Sequence, residues 1–236
     1  MKKLVSIFIV ICIICQSSGP ARSEDSGSPE YLIEENQLDD AEKILDVRIA
    51  ADDKDVYAMS LKADVCRRKG QYRKALKILE KAEKTDDLDP TPNFYLGKLY
   101  FATQDFDNSA AQFRLFIEKM RPLLTGEDIK QYYVDNLHDI ALMYFGLKRY
   151  AELYEVLGEI LKLFPKDTTA LYNLGLYYYY SEHNRSKAYS YLKSVIDIDP
   201  KGSLVPKARY AMEFIRANPD PRFAPDDSFI DQEYND

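Results

Sequence analysis

The 236-residue chain has no tryptophan and only nine glycines and eleven prolines. Sandwiches and barrels need frequent turns rich in these two residues, so the low content argues against an all-β fold. The chain also lacks GxxxxGK(S/T), GxGxxG and HExxH motifs, and any CxxC beyond Cys15. Its two histidines, His138 and His183, have no cluster of carboxylates in register with them. We therefore expect no cofactor, no metal site and no enzymatic activity.

Cysteine and positive charge are also scarce. Two of the three cysteines, Cys12 and Cys15, lie in an apolar segment at the N-terminus. If that segment is removed, Cys66 remains without a disulfide partner, and its position predicts a core residue rather than a nucleophile. The formal net charge is −7, and no basic stripe compensates for it. Because an acidic surface repels phosphate backbones, we do not expect a nucleic-acid partner.

The first residues have the pattern of a targeting segment. Lys2 and Lys3 precede an apolar run over residues 4–15, and small residues follow it. The run is shorter than the roughly 20 apolar residues that span a bilayer. The pattern predicts a signal peptide over residues 1–23, with cleavage after Ser23 favoured over cleavage after Ala21. The mature chain is then expected to be exported, as a periplasmic or secreted protein.

Membrane anchoring is the less favoured alternative. Bacterial lipoproteins end their signal at a modified cysteine, which would be Cys15 here. The residue before that cysteine is normally small, and Ile14 departs from this rule. We therefore expect membrane association only if Cys15 is lipidated or the signal is retained.

A repeated pattern occupies most of the remaining chain. Three stretches each end one helical pattern, turn, place an aromatic residue and begin a second helical pattern: DVCRRKGQYRKALKILEKA, KLYFATQDFDNSAAQFRLF and LMYFGLKRYAELYEVLGEI. The aromatic residues are Tyr72, Phe106 and Tyr150. The first two are 34 residues apart, and the third follows after 44, which is one period with an insertion of ten residues.

These stretches resemble the tetratricopeptide repeat (TPR), a helix-turn-helix unit of 34 residues. The family pairs an aliphatic residue with a small one and places an aromatic residue three positions later. The matching sets are Leu96, Gly97 and Tyr100; Ile140, Ala141 and Tyr144; and Leu174, Gly175 and Tyr178. In the preceding unit Ala63 supplies the small residue, but Lys62 and Cys66 depart from the pattern. The resemblance implies an all-α fold, a right-handed superhelical solenoid of antiparallel helix pairs.

The register of this resemblance divides the chain into successive units. We expect a degenerate repeat over 24–55, followed by full repeats at 56–89, 90–123, 134–167 and 168–202. An insertion at 124–133, between the second and third full repeats, extends a helix. A capping helix at 203–217 and an acidic disordered tail at 218–236 complete the predicted organisation. The tail carries six acidic residues and one arginine. Its aromatic residues, Phe223, Phe229 and Tyr234, suit either a docking motif or a solvating tail, and the second reading is favoured.

The resemblance also implies a binding groove lined by the first helix of each repeat. The candidate partner-binding residues are Tyr57, Phe94, Tyr95, Lys98, Phe101, Phe145, Tyr172, Asn173, Leu176, Tyr179 and Tyr180, and Leu142 falls in a further groove slot. Within the run Tyr177–Tyr180, successive helical residues are rotated by about 100°. We therefore expect Tyr177 and Tyr178 to pack internally and Tyr179 and Tyr180 to face the groove or its rim.

These observations together predict a function of recognition. We expect an exported, non-catalytic scaffold that binds a protein or peptide segment in an aromatic groove, in the assembly of a cell envelope. The alternative is a small-ligand or glycan-binding protein of the envelope, which would need a closed pocket with convergent polar groups.

Overall fold

The structure is a computed structural model that describes residues 27–218. The predicted signal peptide with Cys15, and the predicted tail beyond Asn218, lie outside this range. Within it the chain forms eleven α-helices and no strand, so the predicted all-α class is confirmed. The chain divides into two compact units, with the boundary between Tyr133 and Val134.

The first unit contains six complete helices and the beginning of a seventh. Their bounds are α1 Pro29–Glu34, α2 Leu38–Ala51, α3 Val56–Arg68, α4 Tyr72–Thr85, α5 Thr91–Ala102, α6 Phe106–Met120, a 3₁₀ turn over Arg121–Leu123, and α7, which starts at Glu127. We call α1, α3 and α5 first helices, and α2, α4 and α6 second helices. The pairs α3 with α4 and α5 with α6 occupy the predicted repeats 56–89 and 90–123.

The second unit contains the remainder of α7 and four further helices. The bounds are α7 Glu127–Gly146, α8 Tyr150–Leu163, α9 Thr168–Tyr180, α10 Arg185–Ile198 and α11 Val205–Ala217. Here α7 and α9 are first helices, and α8 and α10 are second helices. Residues 127–133 of the predicted insertion form the first two turns of α7. No helix in residues 27–218 has the length and apolarity needed to cross a bilayer.

Each helix pair is joined by a turn with one left-handed residue. These residues are Asn36, Gly70, Gln104, Lys148 and His183, with φ between 51° and 73°. Their spacing along the chain is 34, 34, 44 and 35 residues. The turn at Gly70 shows the hydrogen bonds that end the first helix: Gln71 N–H donates to Cys66 O at 2.8 Å and Gly70 N–H to Arg67 O at 2.9 Å.

This nested pair of bonds is a Schellman motif, which needs a left-handed residue and favours glycine at that point. The same pair recurs in the turns that contain Asn36, Gln104 and Lys148. In the fifth turn Asn184 N–H donates to Tyr178 O at 2.7 Å, a bond that spans one residue more. The fifth turn is therefore one residue longer than the other four. This explains why the left-handed residues Lys148 and His183 are 35 residues apart rather than 34.

The helices of a pair approach each other through a small residue facing a large one. A Cβ atom at Gly97 on α5 would overlap the ring of Phe113 on α6. A Cβ at Gly175 on α9 would lie 2.7 Å from Leu192 Cγ on α10. Phe113 and Leu192 are both fully buried. The pattern of a small residue in the first helix therefore reflects direct contact with the second helix.

Cys66 is fully buried and packs with Ala63, Ala75 and Leu79 between α3 and α4. Burial raises the pKa of its thiol, which keeps the thiol protonated and unreactive. Cys66 is a core residue, as the sequence predicts.

Candidate functional site

The predicted groove residues of the first unit divide into buried and half-buried side chains. Tyr57 on α3 and Phe94 on α5 are only 5% and 4% exposed. The Phe94 ring lies 5.3 Å from the Phe116 ring of α6, as in an ordinary core contact. Tyr95, Lys98 and Phe101, also on α5, are half-buried. Only these last three offer surface to a partner.

Tyr57 is covered by residues from distant parts of the same unit. It belongs to a core cluster with Leu32 and Ile33 of α1, and Tyr95 and Tyr132 pack against this cluster. Tyr132 lies in the first turns of α7. Burial, reinforced by neighbouring tyrosines and by Glu30, raises the pKa of the Tyr57 hydroxyl far above its ordinary value. Tyr57 and Phe94 are thus core residues, which corrects the expectation that they line a binding surface.

A buried carboxylate organises the adjacent part of α3. Asp64 Oδ1 accepts a hydrogen bond from Arg67 at 2.8 Å, and Oδ2 accepts one from Arg68 at 2.9 Å. Arg68 also donates to the carbonyl of Ile33 at 3.0 Å, which ties α3 to the end of α1. Burial alone would raise the pKa of Asp64, but the positive charges of Arg67, Lys98 and Arg68 hold it below its ordinary value. This network therefore has a structural role.

The predicted residues of the second unit show the same division. Tyr172 and Leu176 on α9 are 8% and 7% exposed, whereas Phe145 on α7 and Asn173 and Tyr180 on α9 are half-buried. The rings of Phe145 and Tyr180 lie 6.2 Å apart in an edge-to-face arrangement.

Leu142 extends this patch. It lies three residues before Phe145, hence on the same face of α7, and is 62% exposed. Leu142, Phe145 and Tyr180 form a partly exposed apolar patch, which we call the Leu142 patch.

The tyrosine run is mostly packing. The ring of Tyr177 lies 5.2 Å from that of Tyr154 on α8, and Tyr178 stacks on Tyr191 of α10 at 5.3 Å. Both were predicted to pack internally. Tyr179 is fully buried, and its hydroxyl donates to the carbonyl of Asn218 at 2.7 Å.

The expectation that Tyr179 faces the groove or its rim is therefore wrong. Its ring meets Phe214 of α11 edge to face at 6.1 Å, so the helix predicted to close the array covers it. Of the four residues, only Tyr180 is half-buried rather than buried.

One polar contact had no signal in the sequence. Nε2 of His138 on α7 lies 3.1 Å from Oδ2 of Asp167, while Oδ1 of Asp167 accepts from Ala170 N–H at 2.7 Å and caps α9. Burial would raise the pKa of Asp167, but the hydrogen bond with His138 lowers it overall. The pair joins two first helices. Among residues 27–218, no group of three or more histidine, cysteine, aspartate or glutamate side chains is placed to hold a metal ion.

One segment of the chain matches a known family model. Residues 56–87 match the sequence model of the tetratricopeptide repeat. This segment falls within the predicted repeat 56–89, and its helices have the paired geometry described above. The fold is of the TPR type. TPR folds typically serve as non-catalytic scaffolds.

Solved structures with a similar fold include YrrB and MamA. YrrB, a TPR protein with an unusual peptide-binding site, shares 20% identity, with 78% of this chain and 88% of YrrB covered and a TM-score of 0.53. MamA shares 17% identity, with 73% of this chain and 95% of MamA covered and a TM-score of 0.54. At these identities the likeness concerns the fold alone. No curated protein matches the chain in sequence.

Proposed function

We propose that this protein is a non-catalytic scaffold that binds a peptide or protein segment through apolar faces of its first helices. The observation that carries the proposal is the Leu142 patch. Leu142 is 62% exposed on a helix face whose next apolar residue, Phe145, is also partly accessible. Large apolar and aromatic side chains that remain accessible on a rigid helix are the groups that anchor protein partners.

A second face, in the first unit, supports the same function. Tyr95, Lys98 and Phe101 of α5 are half-buried and combine aromatic surface with one cationic group. The Phe101 ring meets Phe106 edge to face at 5.9 Å, which restricts its motion before a partner arrives. The peptide-binding site of YrrB is a precedent for recognition on this fold.

We also propose that the protein acts outside the cytoplasm, in assembly at a cell envelope. The basic start, short apolar run and small residues of the N-terminus support export. Periplasmic or secreted residence is preferred over anchoring, because Ile14 precedes Cys15. The alternative of a small-ligand or glycan-binding protein would require a closed pocket formed by the predicted aromatic residues.

Photocrosslinking in the native host tests the proposed surface. A benzophenone amino acid replaces Leu142 in one variant and Leu115 in the control, since Leu115 is 39% exposed but lies on the second helix α6. We expect a discrete adduct from position 142 and none from position 115. Adding Phe145→Ala should reduce the adduct severalfold without altering the helical circular dichroism. Equal adducts at the two positions would refute the proposed face.

The same cells test export without further variants. Mass spectrometry of the protein from fractionated cells should find Glu24 as its first residue, in the periplasm or the medium. A chain retaining residues 1–23 in the cytoplasm would contradict export by this route while leaving the binding proposal intact.

A further inference from the structure

A cleft in the first unit lies away from the predicted groove residues. It has a volume of about 470 Å³ and lies between the second helices α2 and α4, above α3. Ile49, Met59 and Ile78 form its apolar floor. None of the predicted groove residues lines it, so it is independent of the function proposed above.

The rim of this cleft is basic in an otherwise acidic chain. Two of its cations have partners on α2: Lys62 pairs with Asp46, and Lys74 pairs with Glu42 at 2.7 Å. Hydrogen bonds from Lys69 and Lys74 lower the pKa of Glu42 to about 2. The nearby acids of α2 are therefore already engaged.

Three further cations of the rim have no such partner. Arg73, Lys77 and Lys81 are exposed, and none of them forms an ion pair within residues 27–218. They are four residues apart on α4, so they form a row along one face of the helix. Like charges at this spacing destabilise an isolated helix. A bound anion would remove that repulsion.

We propose that this cleft binds an acidic peptide segment of a partner protein. Its carboxylates pair with Arg73, Lys77 and Lys81, and a bulky apolar side chain contacts the floor. Successive cations of the row are separated by about 6 Å along the helix axis. Alternate residues of an extended peptide are separated by about 6.6 Å, so acidic residues at every second position match the row.

The charge of the whole chain favours a short segment over a long polyanion. The net charge of −7 repels a long polyanion such as nucleic acid or an anionic membrane. The attraction of the three cations in the row is screened within about 10 Å, so it does not offset this repulsion over a large surface. A short peptide bound in the cleft interacts mainly with the three cations of the row. The apolar floor adds surface for a side chain that a phosphate backbone does not provide.

Fluorescence anisotropy with a defined probe tests the proposal on the full chain. The probe is the labelled peptide Gly-Glu-Phe-Glu-Leu-Glu-Gly, and the test variant is Lys77→Ala combined with Lys81→Ala. Since each exposed ion pair contributes modestly, we expect Kd to rise about tenfold. Alanine is a strong helix former, so the variant should keep its thermal unfolding transition.

Lys84→Ala is the matched control, because Lys84 is exposed on α4 but does not line the cleft. Its Kd should stay within about twofold of wild type, and added salt should weaken wild-type binding. A probe with glutamine in place of glutamate, or alanine in place of phenylalanine and leucine, should bind more weakly than the original.

Several results would overturn the proposal. They are equal binding of the glutamine probe, an unchanged Kd in the double variant, and loss of binding in the Lys84→Ala control alone. Tighter binding of phosphatidylserine vesicles or single-stranded DNA, lost in the double variant, would assign the cleft to those ligands instead. None of these results bears on the Leu142 patch, which is in the other unit.

Discussion

The helix pairs α3–α4 and α5–α6 have the same register but distribute their side-chain volume differently. In α3–α4 the facing residues are Ala63 and Leu79, whereas the residues 34 positions later are Gly97 and Phe113. The second pair has a smaller residue on its first helix and a larger one on its second. The contact between paired helices thus depends on the volume that the two residues fill together, rather than on either residue alone.

The two pairs also differ in charge and at the turn. Asp64 in α3 is buried beneath two arginines, while its counterpart in α5 is Lys98, whose ammonium lies 5.0 Å from the Phe94 ring centre. The left-handed turn position holds Gly70 in the first pair and Gln104 in the second. The repeat therefore conserves backbone geometry and buried volume, and it tolerates large changes in side-chain chemistry.

The largest expected loss of stability follows from removing the buried Asp64 carboxylate. Asp64→Ala leaves Arg67 and Arg68 without their partner next to the core, and we expect the free energy of unfolding to fall by about 3 kcal/mol at neutral pH. Lys98→Ala, at the matching position, should cost less than about 1 kcal/mol, because Lys98 is half-exposed and Asp64 keeps Arg67 and Arg68 when Lys98 is removed. Urea denaturation of both variants measures the difference.

This prediction has a definite pH dependence. Because the pKa of Asp64 is lowered by folding, its contribution is present above the pKa of the unfolded state, about 3.9, and is lost as pH falls through the lower folded value. The difference in free energy of unfolding between wild type and Asp64→Ala should decrease below about pH 4. If this difference in free energy does not depend on pH, lost packing rather than lost charge explains the destabilisation of Asp64→Ala.

An intermediate effect is expected at the helix contact. Gly97→Ala forces the Phe113 ring to move and should cost about 2 kcal/mol in thermal or urea denaturation. Adding Phe113→Leu recreates the small and large residues of α3–α4 and should restore most of the loss.

Gly158→Ala is the matched control for this substitution. Gly158 lies within α8, and no atom is found within 4 Å of an added Cβ, so alanine there should stabilise by about 1 kcal/mol. If the double variant at 97 and 113 is no more stable than Gly97→Ala, the idea of a shared volume fails.

The smallest changes in stability are expected from substitutions at the left-handed turn residues, and they should have opposite signs in the two helix pairs. Gly70→Ala places a Cβ on a left-handed residue and should destabilise by about 1 kcal/mol. Gln104→Gly relieves the same strain and should stabilise by about 0.5 kcal/mol, after the greater flexibility of glycine in the unfolded chain is counted. Differential scanning calorimetry of the two variants checks the signs, and equal signs would contradict the proposed equivalence of the turns.

The sequence predicted the helical architecture well because its signals are local. The period of 34 residues and the insertion before Val134 were both visible in the spacing of aromatic and small residues. The predicted site was less accurate. Tyr95, Phe101, Phe145 and Tyr180 retain accessible surface, but the same groove pattern also included side chains that the structure buries.

The sequence by itself determined which segments are helices, where they turn and which small residues meet the neighbouring helix. Only the tertiary structure decided which aromatic side chains remain accessible. Tyr57 is covered by α1 and Tyr132, and Tyr179 by Phe214 of α11. The physical reason is that helix period and turn geometry arise within a few residues, whereas burial depends on residues far along the chain whose positions no periodic pattern specifies.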